Sequence, residues 1–272
     1  MKLSASTRLV DRLCKPFTNE VSIMKKFGFE GLDYDLNYKL SDVLGDRWQE
    51  KVEITAENAY ENDLPIVQTH LPYSFTPGVG PGPVDVETIK QAIVATEILG
   101  AGYAVFHAIN SKDVNQGLPR TYEFYMPLVE FAAKRNVELL VEIMPNFCTY
   151  PITVEDLCEA ADKMNIGVCW DFGHPNVNKY GMPNDQRDDL RMVGSRLKAL
   201  HVNDNAGGRP DEHLPPYMGS VDWDSHIPVL KEIGYDGDFN YEVLPRRVPE
   251  ELIPIIAEYL IKVGRRLMEM CD

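Results

Sequence analysis

Short apolar runs recur along the chain, separated by longer stretches with helical period. Eight of them read as strands: Leu3–Ser6, Gly31–Tyr34, Pro65–Thr69, Tyr103–Phe106, Glu138–Ile143, Ile166–Trp170, Leu197–Val202 and Asp238–Val243. Several are continuous rather than alternating, as strands buried on both faces are, which predicts a parallel sheet. Between them, Val86, Ile89, Ile93 and Leu99 repeat at helical spacing in a stretch opened by Pro83 and closed by Gly100. Near the end, Leu252, Ile256, Leu260, Val263 and Leu267 form a second stripe, with Pro254 in its first turns. Strands alternating with about eight helices predict an α/β fold, a single (β/α)8 TIM barrel filling residues 1–272. An open doubly wound sheet is the alternative. It usually carries a glycine-rich turn after its first strand, and Ser4–Arg8 offers none.

Composition narrows the function classes. Of 272 residues, 42 are acidic and 27 basic, a net charge of −15. Such a surface repels phosphate backbones, so no nucleic-acid partner is expected. Five cysteines without a CxxC pair fit a reduced, cytoplasmic protein rather than a disulfide scaffold. No run of about 18 apolar residues and no leader-like N-terminus is present, so no membrane partner is expected.

The reactive side chains fall at strand ends. His70 closes Pro65-Ile-Val-Gln-Thr-His, His107 closes Tyr103-Ala-Val-Phe-His, and His201 closes Leu197-Lys-Ala-Leu-His. Glu142 ends Val137-Glu-Leu-Leu-Val-Glu, Asp171 follows Ile166-Gly-Val-Cys-Trp, and Glu242 follows Phe239-Asn-Tyr. In a barrel those carboxyl ends converge on one mouth. Any one of them alone reads as a core or capping residue; together, at the same place on six strands, they read as a site. Crowded carboxylates and imidazoles repel or stay unsatisfied unless a positive ion sits among them. Two Glu, one Asp and one His make a mainly oxygen set suited to Mn²⁺, Mg²⁺, Co²⁺ or Zn²⁺. His174, Asp211 and His213 extend the cluster, whereas His226 lies in an amphipathic segment and is given no role. Pro77-Gly-Val-Gly-Pro-Gly-Pro lacks a following Lys-Ser/Thr, so it reads as a loop over the mouth, and no nucleotide cofactor is expected. Tyr73, Phe75, Phe147, Trp170 and Tyr217 are candidate pocket walls, each equally well explained by core packing. Gly207-Gly208 and Arg246-Arg247 stand where barrels often hold phosphate.

Over essentially the whole chain, this pattern resembles the xylose-isomerase-like barrel superfamily, its sugar isomerases and epimerases above all. The likeness is carried by Phe27-Gly-Phe-Glu-Gly-Leu-Asp, Val141-Glu, Trp170-Asp-Phe-Gly-His and Leu200-His-Val-Asn-Asp. It continues through His213-Leu-Pro-Pro, Gly219-Ser-Val-Asp-Trp, and Gly234-Tyr-Asp-Gly before Tyr241-Glu. The resemblance implies a single divalent metal on Glu142, Asp171, His201 and Glu242. It also implies that Glu142 and Glu242 exchange a substrate proton from opposite sides, with His174 on substrate oxygens. Ketose epimerases of this type have an arginine shortly after the metal histidine. Here Asn203-Asp-Asn-Ala-Gly-Gly-Arg makes Arg209 a displaced equivalent, and Arg246 is a further weak substrate contact.

The implied activity is isomerisation or epimerisation of a sugar, sugar phosphate or keto-cyclitol through an enediolate, with dehydration as a variant outcome. The partner is then a small polyhydroxylated substrate, and the apolar helix faces leave room for a homo-oligomer. A second branch, the apurinic-site endonucleases, uses nine ligands around three zinc ions. Its counterparts here are His70, His107, Glu142, Asp171, His174, His201, Asp211, His213 and Glu242. The net charge of −15 and the lack of a Lys/Arg-rich loop beside the site favour the sugar reading over this phosphodiester hydrolase. A barrel that only binds a small ligand is the non-catalytic alternative.

Overall fold

Strands and helices alternate in the computed structural model, which describes residues 1–15, 17–36, 45–73, 86–109, 114–144, 153–177, 185–208 and 210–271. The strands are β1 (Leu3–Ser6), β2 (Gly31–Asp35), β3 (Ile66–His70), β4 (Tyr103–His107), β5 (Glu138–Glu142), β6 (Gly167–Asp171), β7 (Leu197–His201) and β8 (Phe239–Tyr241). Between them run α1 (Glu20–Phe27), α2 (Trp48–Glu61), α3 (Val86–Ile98), α4 (Val114–Ala133) and α5 (Val154–Met164). Then come α6 (Gly173–Val177), α7 (Gln186–Val193), α8 (Trp223–Glu232) and α9 (Ile253–Glu269). Each strand is parallel to its sequence neighbour, and β8 returns to pair with β1. A parallel bridge between Val202 and Tyr241 brings β7 to β8. There Val202 N–H donates to Asn240 O at 2.8 Å, and Glu242 N–H donates to Val202 O at 3.2 Å. This is the TIM barrel expected from the alternation, not an open doubly wound sheet.

The strands formed where continuous apolar runs predicted them, with small shifts that matter for the site. β3 and β6 each begin and end one residue later than predicted, so His70 and Asp171 are strand residues. Helix ends follow local chemistry. In α5, Thr153 Oγ1 accepts the Asp156 N–H and Asp156 Oδ2 accepts the Thr153 N–H, both at 3.1 Å, a reciprocal cap. The helix stops at Asn165 in the left-handed region, φ 53°. The stripe predicted for the last helix is partly rotated. Ile253, Ala257, Leu260, Ile261, Gly264 and Leu267 are buried, while Leu252 is 41% exposed. Pro254 sits in the first turn, as expected, where its missing N–H costs no helical bond. Among the described residues no helix is long and apolar enough to cross a membrane. Phe75, the Pro77–Pro83 segment, Phe147 and Arg209 lie outside the described residues.

The loop after β7 is tied down by one buried carboxylate. Asp204 Oδ1 accepts the N–H of Asn205 at 2.8 Å and of Val221 at 3.0 Å, while Oδ2 accepts Trp223 Nε1–H at 2.9 Å. Gly219 packs so closely on this turn that a Cβ there would lie 2.3 Å from the Asn205 carbonyl oxygen and 2.2 Å from Asp204 Oδ1. Backbone cannot yield as a side-chain tip can. Gly219→Ala is therefore expected to destabilise the protein by about 1–3 kcal/mol, the usual cost of overpacking. Thermal melting checks this; a variant with wild-type melting temperature would show that the turn is free to move.

Candidate metal centre

The mouth of the barrel is lined by the strand ends named above. His70, His107, Glu142, Asp171, His174, His201, His213 and Glu242 are all buried, none more than 8% exposed. They arrive from β3 to β8 and the segments that follow them, so no two neighbours in space need be neighbours in sequence. Three groups form, each with ligand atoms within 4.8 Å of one another: His70, His107 and Glu142; Glu142, Asp171, His201 and Glu242; and His174, Asp211 and His213.

Glu142 joins the first two groups. Its Oε2 lies 3.2 Å from His70 Nε2 and 3.0 Å from His107 Nε2, and those two nitrogens are 3.1 Å apart. Such a triangle is close to one face of a zinc tetrahedron, whose ligand atoms stand about 3.3 Å apart. Glu142 Oε1 meets His201 Nδ1 at 2.9 Å, and Glu242 Oε2 lies 3.3 Å from the same nitrogen. Asp171 Oδ2 accepts Asn203 Nδ2–H at 2.6 Å, and its Oδ1 accepts the His174 N–H at 2.9 Å. In the third group Asp211 Oδ2 stands 3.4 Å from His174 Nε2 and 2.9 Å from His213 Nε2.

Backbone carbonyls set the tautomers. Nδ1–H of His70 donates to Leu71 O at 2.9 Å, that of His174 to Ile143 O at 2.7 Å, and that of His213 to Glu242 O at 2.9 Å. In its neutral form each ring thus presents a bare Nε2 to its group, the arrangement that metal-ligating histidines adopt. His213 has a left-handed backbone, φ 49°, uncommon outside glycine and often found where a site imposes it.

The charges are mutually dependent. Burial pushes the Glu142 carboxyl up, but the imidazoles of His201, His107 and His70 together hold it well below the usual carboxylate range. Burial likewise opposes ionisation of Glu242, and His201 and His213 outweigh it. Asp171 has fewer compensating contacts, and burial raises it to about 6. Burial works against protonation of His70 and His213, yet Glu142 beside the first and Glu242 and Asp211 beside the second lift both to about 9. His107 goes the other way, lowered by burial. Without a metal the site holds its carboxylates by borrowing protons on its imidazoles. A divalent cation supplies the same charge, so this donor set fits one.

A cleft of about 170 Å³ opens over these groups, walled by Arg8, Asp35, Tyr73, Met144, Leu244 and Arg246 besides the titratable residues. Tyr73 stacks on His107, ring centroids 5.0 Å apart. Arg246 lines the cleft, whereas two of the candidate walls do not. Trp170 points away from the barrel axis into the core and is fully buried, because β6 turns alternate side chains outward. Tyr217 is 42% exposed and donates to Asp224 Oδ1 at 2.6 Å on the surface. His226 is on α8, away from the groups, and burial lowers it. Sequence reasoning missed Arg8 and Asp35, whose Nε and Oδ2 are 3.2 Å apart. The signal was available, since Asp35 ends β2 and Arg8 follows the end of β1 by two residues.

A family model described as xylose isomerase-like TIM barrel matches residues 21–263. An uncharacterized protein of Methanocaldococcus jannaschii is 31% identical over 193 residues, covering 68% of this chain and 65% of that protein. The chain therefore spans about two thirds of that relative's length. Among solved structures, an L-ribulose 3-epimerase superposes with a TM-score of 0.78 at 16% identity, over 99% of this chain and 95% of that one. The IolI protein with a bound zinc atom superposes with a TM-score of 0.75 at 19% identity, over 100% and 98% of the two chains. At such identities the superpositions establish the fold.

The proton-borrowing predicts a pH dependence for metal-free protein. His70 and His213 sit at about 9 in the fold against 6.5 ordinarily, so their stabilisation is complete below 6.5 and lost as pH rises through 9. Glu142 and Glu242 are depressed below 4.5, so theirs is complete above 4.5 and lost as pH falls through their folded values. In chelator, the melting temperature should peak between these limits and fall toward pH 9, and excess Zn²⁺ should abolish the alkaline fall. A melting temperature that stays flat from pH 6.5 to 9 in chelator would contradict the charge assignment.

Proposed function

The chain belongs to the xylose isomerase-like TIM-barrel family, and on that premise we propose that it is a divalent-metal-dependent isomerase or epimerase of a sugar, sugar phosphate or keto-cyclitol. The observation that carries the reading is the buried group of Glu142, Asp171, His201 and Glu242, whose ligand atoms lie within 4.8 Å of one another and whose two glutamates line a cleft of about 170 Å³. The L-ribulose 3-epimerase of the same fold supports it by analogy. These four residues would hold the ion, and when bound it supplies Lewis-acid charge beside a substrate carbonyl, acidifying the neighbouring C–H.

The chain's own residues then move the proton. Glu142 and Glu242 are both held ionised, the state a proton acceptor needs. Their freedom differs. Glu142 has both oxygens engaged by imidazoles at 2.9–3.2 Å, whereas Glu242 Oε2 has looser contacts, 3.3 Å to His201 and 3.5 Å to His213. Glu242 is therefore the better first base. Glu142, supplied with a proton by the protonated His70 3.2 Å away, would deliver it to the opposite face and so invert the carbon, while Glu242 keeps the proton it took. Return to the neighbouring carbon interconverts aldose and ketose. Loss of a β-hydroxyl in place of that return gives dehydration. Arg8 and Arg246 at the cleft wall offer donors to an acidic or hydroxylated end of the substrate.

The groups His70–His107–Glu142 and His174–Asp211–His213 favour a second reading, phosphodiester hydrolysis at three zinc ions. The net charge of −15 weighs against a duplex substrate. Metal per chain separates the two: one ion is expected for the isomerase reading, three for the hydrolase. On a ketose panel in D₂O, Glu242→Gln should slow exchange of carbon-bound hydrogen at least about 100-fold. Exchange at the wild-type rate in this variant would remove Glu242 as the base. Cleavage of an abasic-site duplex, abolished by Asp211→Ala, would overturn the isomerase reading altogether.

A further inference from the structure

Below the central group the barrel interior divides into two halves. On the β4–β7 side Val105, Leu140, Cys169 and Ala199 form a small apolar cluster. Strands β1, β2, β3 and β8 instead send inward Ser4, Asp33, Gln68 and Asn240, each no more than 3% exposed. Asn240 Nδ2–H donates to Asp33 Oδ2 at 3.3 Å. Among the described residues nothing hydrogen-bonds Ser4 Oγ, Asp33 Oδ1 or Asn240 Oδ1. A carboxylate enclosed in this way is costly unless it faces positive or hydrogen-bond-donating groups. The group it faces is an imidazole. Asp33 Oδ2 is 3.7 Å from His201 Nε2, and the Gln68 amide stands 3.1 Å from the same nitrogen.

His201 differs from the other site histidines in which nitrogen it turns to the ligands. His70, His174 and His213 direct Nε2 to their groups and donate Nδ1–H to backbone carbonyls. His201 directs Nδ1 to Glu142 and Glu242, 2.9 and 3.3 Å away. A neutral imidazole has one N–H, so a lone pair on Nδ1 requires the hydrogen on Nε2, where Gln68 and Asp33 lie. The amide of Gln68 accepts that hydrogen when its oxygen rather than its nitrogen faces the ring, a half-turn of the group. Side chains then do for His201 what carbonyls do for the other three.

We propose that Asp33 and Gln68 are positioning residues of the metal centre: Gln68 accepts the Nε2–H of His201, the Asp33 carboxylate 3.7 Å from that nitrogen supplies the facing negative charge, and together they hold the ring with Nδ1 toward Glu142, Asp171 and Glu242 and so set the affinity of that group for a divalent cation. The inference rests on the reading of those four residues as a metal site. Partners of this kind behind a ligating histidine change metal affinity by about 10–100-fold.

The test uses the full chain as wild type, Asp33→Asn and Gln68→Leu. Each is titrated with Mn²⁺ against a chelating dye, and each is melted in its metal-free form. Long-range ¹H–¹⁵N spectra of Zn²⁺-loaded wild type with labelled histidine report which nitrogen of His201 carries hydrogen. Expected are an affinity loss of about 10–100-fold in both variants, no drop in the metal-free melting temperature of Asp33→Asn, and hydrogen on Nε2. A merely structural role would lower the melting temperature and leave the affinity of the folded protein unchanged. Folded variants with wild-type affinity, or hydrogen on Nδ1, would overturn the proposal. Should Asp33→Asn not fold, Gln68→Leu and the wild-type spectrum decide. A wild type that binds no divalent ion would sink the metal-site reading together with this inference; equal binding by all three proteins would sink this inference alone.

Discussion

Glu142 is a buried carboxylate with imidazoles on both oxygens, and the upper half of the barrel is organised around it. His70 and His107 meet one oxygen and His201 the other. Such a cluster has no stable neutral form: ionised carboxylates need positive charge nearby, and buried imidazoles gain protons only by facing carboxylates. The site settles this with protons when metal is absent and accommodates a divalent cation in their place. It follows that the strands must hold these groups together against their own preference for water. The parallel ladder supplies the necessary rigidity, since His70, His107 and Glu142 end strands paired on both sides and His201 ends a strand paired with β6 and bridged to β8.

That rigidity extends into the loops. Asp204 anchors the turn that carries Trp223, and Gly219 fits against it with no room for a Cβ. Asn203 donates to Asp171, and a Cβ on Gly173 would come within 2.0 Å of the Asn203 side-chain oxygen. Residues of the Trp170-Asp-Phe-Gly-His, Leu200-His-Val-Asn-Asp and Gly219-Ser-Val-Asp-Trp segments therefore divide into two kinds. His174 lines the cleft, and Asp171 and His201 belong to the ligand group with Glu142 and Glu242. Gly173, Asn203, Asp204 and Gly219 keep the loops that present them in place.

Much of this arrangement was legible in the sequence because both the strand pattern and the placement of reactive residues are local. A run such as Glu138-Leu-Leu-Val-Glu names a strand and the group at its end together. Gln68 and Asn240, and Asp33 although it closes the Phe27-Gly-Phe-Glu-Gly-Leu-Asp motif, were given no role for the opposite reason. A polar residue inside an apolar run reads as a surface position until the curvature of the sheet shows which side is enclosed. Trp170 stayed open between pocket wall and core for the same reason, since period-two alternation tells that neighbours face opposite ways but not which way is in. Arg8 and Asp35 were legible but overlooked, for they obey the same strand-end rule as the histidines.

By itself the sequence determined the alternation of strands and helices, the parallel sheet and the identity of the groups gathered at its carboxyl ends. Those properties follow from periodicity and from the order of residues within single segments. Only the tertiary structure decided that nine of these groups resolve into three clusters, two of them sharing Glu142, and that His201 turns the opposite nitrogen to its partners. It also decided that a polar half-layer lies beneath them. Distances between side chains from different strands depend on the stagger of the barrel and the rotation of each ring. Both are set by contacts between residues far apart in the chain, which no local pattern encodes.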